Sequence, residues 1–159
     1  ANKAEKYCWF ITPYLIITDE MAHALSLAAK RGVDVRIYTP GVPDKPTIYQ
    51  LTRSYFPHLL RAGVKIYSYT PGFLHAKTWL VDDRIAAVGT VNLDYRSLYL
   101  HFENSVLIYG GAVLDDVRRD LVEIEKESAA VTLADCRTGF FGTLYSAVLR
   151  LVAGMPLGI

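Results

Sequence analysis

Apolar positions along this chain fall into short β-branched and aromatic runs, separated by stretches with helical spacing. Tyr7 to Ile11 is one such run, ended by Pro13, and reads as a buried strand. Thr18 follows as an N-cap, with Asp19 and Glu20 in a first turn where carboxylates favour the helix dipole. Met21, Leu25 and Ala28 give that helix an inner stripe, Lys30 and Arg31 occupy its last turn, and Gly32 supplies a left-handed stop. Val33 to Tyr38 is the next strand, and Thr39 to Pro46 carries three prolines and reads as a surface loop. Thr47 to Arg61 has helical spacing, but Pro57 is expected to kink or split it. Gly63 ends this segment, and Val64 to Tyr69 is a third strand.

Gly32-Val33…Thr39-Pro40-Gly41 and Gly63-Val64…Thr70-Pro71-Gly72 each spell helix stop, strand and turn, which predicts two successive αβ units. His75 to Val81 reads as a strand, Asp82-Asp83-Arg84 as a turn and Ile85 to Val88 as the return strand. Gly89 to Arg96 is a loop, Glu103 to Tyr109 closes the sheet, and Leu114, Val117, Leu121 and Ile124 mark an amphipathic helix. The pattern predicts an α/β fold: a mixed, mainly parallel sheet flanked by helices. Residues 1–137 form the main unit and 138–159 a C-terminal amphipathic tail. In that tail Phe141, Leu144, Tyr145, Val148 and Leu151 share one face, and Thr143, Ser146 and Arg150 another. Most amphipathic helices serve packing, so docking on the core, or on a part of the protein outside this chain, is preferred over a membrane-interfacial role. Arg150 and Pro156 argue against a spanning segment.

Composition narrows the function classes. The 159 residues suit one domain, and the net charge of +1 gives no support to bulk electrostatic capture of nucleic acid. Cys8 and Cys136 lack metal-ligand spacing and read as buried and inert, and so few cysteines suit a reducing compartment. The opening Ala1 to Lys6 has no initiator Met and reads like the end of a helix, as if the chain were cut from a longer protein.

The chemistry lies in His75, Lys77, Asp82, Gly89, Thr90 and Asn92, which together spell H-x-K-x4-D-x6-G-[ST]-x-N. On a strand, His75 and Lys77 would share a face and make an anion site. Imidazole is suited to act as a neutral nucleophile or a protonated acid near pH 7. Lys77 supplies positive charge for phosphoryl oxygens, Asn92 an amide donor, Thr90 a hydroxyl, and Gly89 a close backbone approach. A nucleophilic imidazole needs an acceptor on its other nitrogen. Glu103 is the first candidate for that role and Asp94 the second. His23, His58 and His101 have no such company and read as structural.

The six-residue pattern resembles the signature of the phospholipase D superfamily. The run Gly89-Thr90-Val91-Asn92-Leu93-Asp94-Tyr95-Arg96-Ser97-Leu98, continuing to Phe102-Glu103, resembles the second catalytic half of bacterial cardiolipin synthases. Thr12-Pro13-Tyr14, Arg31 to Arg36, Ala62 to Tyr67 and Pro71 to Lys77 add to that likeness, which covers most of the chain up to about Glu127. Thr90 stands where Ser is more usual, and His101 where Asn commonly precedes Phe-Glu. The resemblance implies a half-domain that joins two phosphatidylglycerols into cardiolipin through a phospho-histidine, with no metal or other cofactor. It implies Glu103 as the orienting carboxylate and Asp82 as more structural than substrate-binding. It also implies that a second motif comes from a missing N-terminal half or a second copy of the chain. A bacterial cytoplasmic membrane is the expected location, with the catalytic part on the cytoplasmic side. Homodimeric phosphodiesterase or nuclease activity, and a non-catalytic lipid- or partner-binding role, are the alternatives.

Overall fold

The computed structural model describes residues 1–153. Its centre is β1 (Tyr7–Ile11), buried along its whole length because every second side chain feeds one of two apolar layers. β1 pairs in parallel with β3 (Asp34–Pro40), which pairs in parallel with β4 (Lys65–Tyr69). On its other side β1 runs antiparallel to β5 (Thr78–Val81), which continues antiparallel through β6 (Ile85–Gly89) to β8 (Ser105–Tyr109). With β9 (Ser128–Ala130) antiparallel to β4, the order is β8-β6-β5-β1-β3-β4-β9. The sheet is mixed and flanked by helices, as expected. Within this sheet parallel pairing is confined to β1-β3-β4, less than expected, because the strands that follow are added antiparallel.

Helix α1 (Asp19–Lys30) begins at Thr18, whose hydroxyl accepts the Met21 amide, and ends before Gly32 at φ +90°. With α2 (Pro46–Arg61) it covers one face of the sheet, burying Leu25, Ala28, Phe56 and Leu59 against Cys8, Phe10, Val35 and Ile37. α4 (Val113–Lys126) covers the other face, placing Leu114, Val117 and Leu121 on Trp9, Ile11, Tyr38 and Leu80. These layers bury most of the predicted inner positions. Pro57 does not split α2, which runs as one helix. Residues 1–6 form turns and not the end of a helix.

Three predicted boundaries are corrected. The strand expected from His75 begins only at Thr78, so His75 and Lys77 lie on the segment that leads into β5. The loop expected from Gly89 to Arg96 instead contains β7 (Leu93–Asp94), paired in parallel with β2 (Leu15–Ile16), and the start of α3 (Tyr95–Tyr99). Glu103 likewise precedes its strand, β8.

The tail forms α5 (Phe140–Ala153), which packs on α2. Arg150 Nε donates to Ser54 Oγ at 3.0 Å, a second guanidinium nitrogen donates to the Ser54 carbonyl, and the group lies 4.4 Å from the Tyr55 ring centre. Docking on the core is therefore observed, and it uses the side of the helix that carries Arg150. Its polar side faces α2, and Phe141, Leu144, Tyr145, Val148 and Leu151 are exposed. Among the described residues, no helix is long and apolar enough to cross a membrane.

Candidate active site

Antiparallel pairing draws the motif together. Thr78 opposes Val88 across β5 and β6, and Gly89 opposes Ser105 across β6 and β8. The Gly89 amide donates to the Lys77 carbonyl at 3.2 Å, and the Thr90 amide to the Asn104 carbonyl at 2.9 Å. The segments carrying Lys77, Thr90 and Glu103 thus meet where these strands end.

Gly89 has a specific steric reason. A Cβ at this position would overlap the Asn104 carbonyl oxygen and the Ser105 backbone and hydroxyl. The missing side chain lets β6 and β8 close beside the site. Close approach to neighbouring backbone, more than any need for an unusual φ, explains the glycine.

A polar network surrounds the strand ends. The Thr90 hydroxyl donates to Glu103 Oε2 and accepts the Asn104 amide at 2.9 Å. Asn92 Nδ2 donates to Ser97 Oγ at 3.1 Å, and Ser97 also hydrogen-bonds Glu103. The hydrogen bonds from Thr90 and then Ser97 hold the Glu103 carboxyl below its usual range, assisted by His101, whose Nδ1 lies 3.9 Å from Glu103 Oε1. Asn92 Oδ1 is buried and has no hydrogen-bond partner among the described residues, an open acceptor within the network.

Lys77 Nζ donates to the His75 carbonyl at 2.8 Å. Desolvation lowers the Lys77 pKa, opposed by the negative charges of Glu103 and Asp94. The ammonium therefore faces the carboxylates of the network while it holds the backbone of His75. The His75 ring is exposed and stacks on Phe73, with centroids 5.3 Å apart, and Phe73 in turn meets Tyr14 at 6.5 Å. Among the described residues the His75 ring makes no hydrogen bond, and Glu103 is engaged by Thr90, Ser97 and His101. The expected contact between Glu103 and His75 is not present in this arrangement.

Two acids are placed in structural settings. Asp82 lies at the far end of β5 from Lys77. Its Oδ1 accepts the Lys6 and Tyr7 amides and its Oδ2 the Glu5 amide, each at 2.8 Å. It ties the β5–β6 turn to the start of β1 and is not brought to the site. Asp94 caps α3 by accepting the Ser97 amide at 2.7 Å, and burial raises its pKa against the lowering effect of Ser97. Sequence reasoning assigned no role to Ser97 or Phe73. The Asp94-x-x-Ser97 spacing of an N-cap was a readable sign that Ser97 would be ordered near Asn92. Among the described residues, no group of acidic, His or Cys side chains is arranged to hold a metal.

Residues 1–124 match the family model described as cardiolipin synthase, PLD-like domain. An uncharacterized protein of Streptococcus mutans is 50% identical over 96% of this chain and 33% of its own length. Cardiolipin synthase 2 of Bacillus anthracis is 44% identical over 80% of this chain and 25% of its own length. The chain thus spans a third or less of these relatives. Among solved structures, phosphatidylserine synthase of Haemophilus influenzae superposes with a TM-score of 0.74 at 18% identity, covering 95% of this chain and 40% of that one. The phospholipase D family member Nuc of Salmonella typhimurium has a TM-score of 0.69 at 18% identity, covering 82% and 84%. At such identities the two structures speak for the fold, while the sequence matches speak for the family. This chain belongs to the family of cardiolipin synthase PLD-like domains.

Proposed function

We propose that this chain supplies one imidazole-bearing half of a phosphatidyltransferase of the cardiolipin synthase type, which makes cardiolipin from two phosphatidylglycerols. The observation that carries this reading is the assembly of Lys77, Thr90, Asn92, Ser97 and Glu103 at one set of strand ends, beside the exposed ring of His75. Lys77 and Asn92 are the phosphate-binding groups, Thr90 adds a hydroxyl, and Gly89 lets the strands close around them. Glu103 fixes the orientation of Thr90 and Ser97.

The reaction uses two imidazoles in turn, His75 and its counterpart in the other half. One attacks phosphorus, and the bond from phosphorus to the glycerol oxygen breaks. The other protonates that oxygen as glycerol leaves. The second imidazole then takes the proton from a hydroxyl of the incoming phosphatidylglycerol. Its oxygen displaces the first imidazole from phosphorus, giving cardiolipin and the free enzyme. No metal enters this scheme, since Lys77 and Asn92 stabilise the phosphoryl charge. The remainder of the longer protein, or a second copy of this chain, supplies the second imidazole. The bacterial cytoplasmic membrane supplies the lipid, with this domain on the cytoplasmic side.

A homodimeric phosphodiesterase is the second reading, favoured by the match in size to Nuc, of which this chain covers 84%. The test mixes the chain with the rest of its full-length protein and follows phosphatidylglycerol products by thin-layer chromatography. The expected result is cardiolipin formation that needs both parts, is lost in His75→Ala and resists chelators. Hydrolysis without transfer would favour the second reading, and undiminished transfer by His75→Ala would overturn the site.

A further inference from the structure

Cationic side chains away from the motif gather in one place. Arg53, Arg61, Arg137 and Arg150 line a cleft of about 800 Å3 bounded by α2, α5 and residues 133–138. None of the four forms an ion pair with a carboxylate among the described residues, although other arginines of the chain do so with Asp34, Glu125, Asp83 and Asp116. Asp135 also lines the cleft, but its carboxylate accepts the amide and hydroxyl of Thr132 at 2.8 and 2.6 Å. Arg53 donates to the Asp135 backbone oxygen at 2.6 Å, and Arg150 is held by Ser54. Arg61 and Arg137 are exposed and use their guanidinium groups in no hydrogen bond among the described residues. A chain with a net charge of only +1 thus concentrates positive charge here, four guanidinium groups against the one carboxylate of Asp135.

The adjoining face of α5 is apolar and open. Phe141 is 82% exposed and Leu151 74%, with Leu144, Tyr145 and Val148 between them. Leu151 also lines the arginine cleft, so the two surfaces are continuous. Aromatic and aliphatic side chains bordered by guanidinium groups match the boundary between acyl chains and phosphates. A second copy docking through the same face about a two-fold axis would set eight guanidinium groups against one another, which like-charge repulsion disfavours.

We propose that α5 and the arginine cleft form a docking surface for an anionic phospholipid membrane. Phe141, Leu144, Tyr145, Val148 and Leu151 enter the interfacial layer, and the four arginines receive lipid phosphates. The surface is separate from the chemistry at His75: α5 packs on α2, and the cleft is lined by α2, α5 and residues 133–138, with no residue of the motif among them.

The test uses the 159-residue chain carrying Tyr145→Trp, with vesicles of phosphatidylcholine alone or mixed with phosphatidylglycerol. Flotation measures binding, brominated acyl chains report insertion by quenching the new tryptophan, and circular dichroism checks that each variant is folded. The proposal expects flotation and quenching with phosphatidylglycerol vesicles, both weakened by salt. Arg61→Gln combined with Arg137→Gln should weaken partition roughly ten- to thirty-fold, since each basic group near an anionic surface contributes about 1 kcal/mol. Lys77→Ala, which removes a phosphate-binding group of the motif, should float with the vesicles as well as the parent, which separates this surface from a lipid held in the catalytic site. Flotation without quenching would overturn the proposal. So would equal binding to phosphatidylcholine that ignores the arginines, displacement from vesicles by millimolar inorganic phosphate at constant ionic strength, or a lipid-free dimer abolished by Leu144→Glu.

Discussion

At the scale of single residues, Asp82 shows how a motif position can hold the frame of a site without touching its chemistry. Three amides converge on its carboxylate, and Asp82 and Asp83 both adopt left-handed backbone angles, φ 53° and 51°. Burial pushes the Asp82 pKa up, but the amides of Tyr7, Glu5 and Lys6 outweigh it and the net shift is downward. A carboxyl whose pKa is lower folded than unfolded contributes stability above its unfolded value and loses it as pH falls through the folded one. Asp82→Asn keeps the shape and tolerates the left-handed angle, so it isolates the charge. Urea unfolding should show the variant less stable at neutral pH, with the gap narrowing as pH drops below the ordinary carboxylate value of 3.8. Asp82→Ala also leaves the three amides without their acceptor and should cost on the order of 3 kcal/mol. A pH-independent gap for Asp82→Asn would show that the carboxylate charge is not what ties β1 to the turn.

At the scale of elements, the sequence was legible wherever periodicity and punctuation agreed. Thr18 and Gly32 bracket α1, and Tyr7 to Ile11 needed only its apolar run to be read as a buried strand. His75 to Val81 misled because alternating residues look like a strand even where the pairing with β1 does not extend to them. β1 pairs with β5 only over Thr78 to Val81, so the ladder begins there. β9 is three small or hydroxylated residues and gives no periodic signal, and β2 and β7 are two residues each. Spacing singled out Thr90, Asn92 and Glu103 as neighbours of interest, but the Asn92–Ser97–Glu103–Thr90 network was not legible, because it depends on α3 and the segment before β8 meeting in space. The β6–β8 pairing gives a sharp test. Gly89→Ala places a methyl group against the Asn104 carbonyl and the Ser105 backbone, which cannot move aside like a flexible side chain. The expected loss is about 2 kcal/mol or more in denaturant unfolding, with faster amide exchange at Thr90 and Ser105. Unchanged stability and exchange would mean that β8 separates from β6 at little cost.

At the scale of the whole molecule, the sheet ends on β8 with an unusual surface. β8 packs Ile108 against the layer under α4 but leaves Val106, Leu107 and Tyr109 exposed, so the face carrying Leu107 and Tyr109 is open as well as its outer edge. Tyr99, Leu100 and Phe102 are exposed just before it, next to Glu103. An apolar edge strand of this kind invites association unless something covers it. Its position beside the Lys77 and Glu103 network makes it the surface on which the half carrying the second imidazole should dock. The same end of the sheet then explains both the exposed apolar groups and the proposed need for two halves. Leu107→Lys combined with Tyr109→Lys puts charge on the open strand without touching a motif residue. Circular dichroism should stay as in the parent, because both positions already face water. Transferase activity reconstituted with the rest of the protein should fall at least tenfold and recover at higher concentrations of the partner half, as expected for weakened association. Activity that is lost and stays lost at saturating partner would place the defect in the site itself, and activity that ignores both lysines would move the docking surface away from β8.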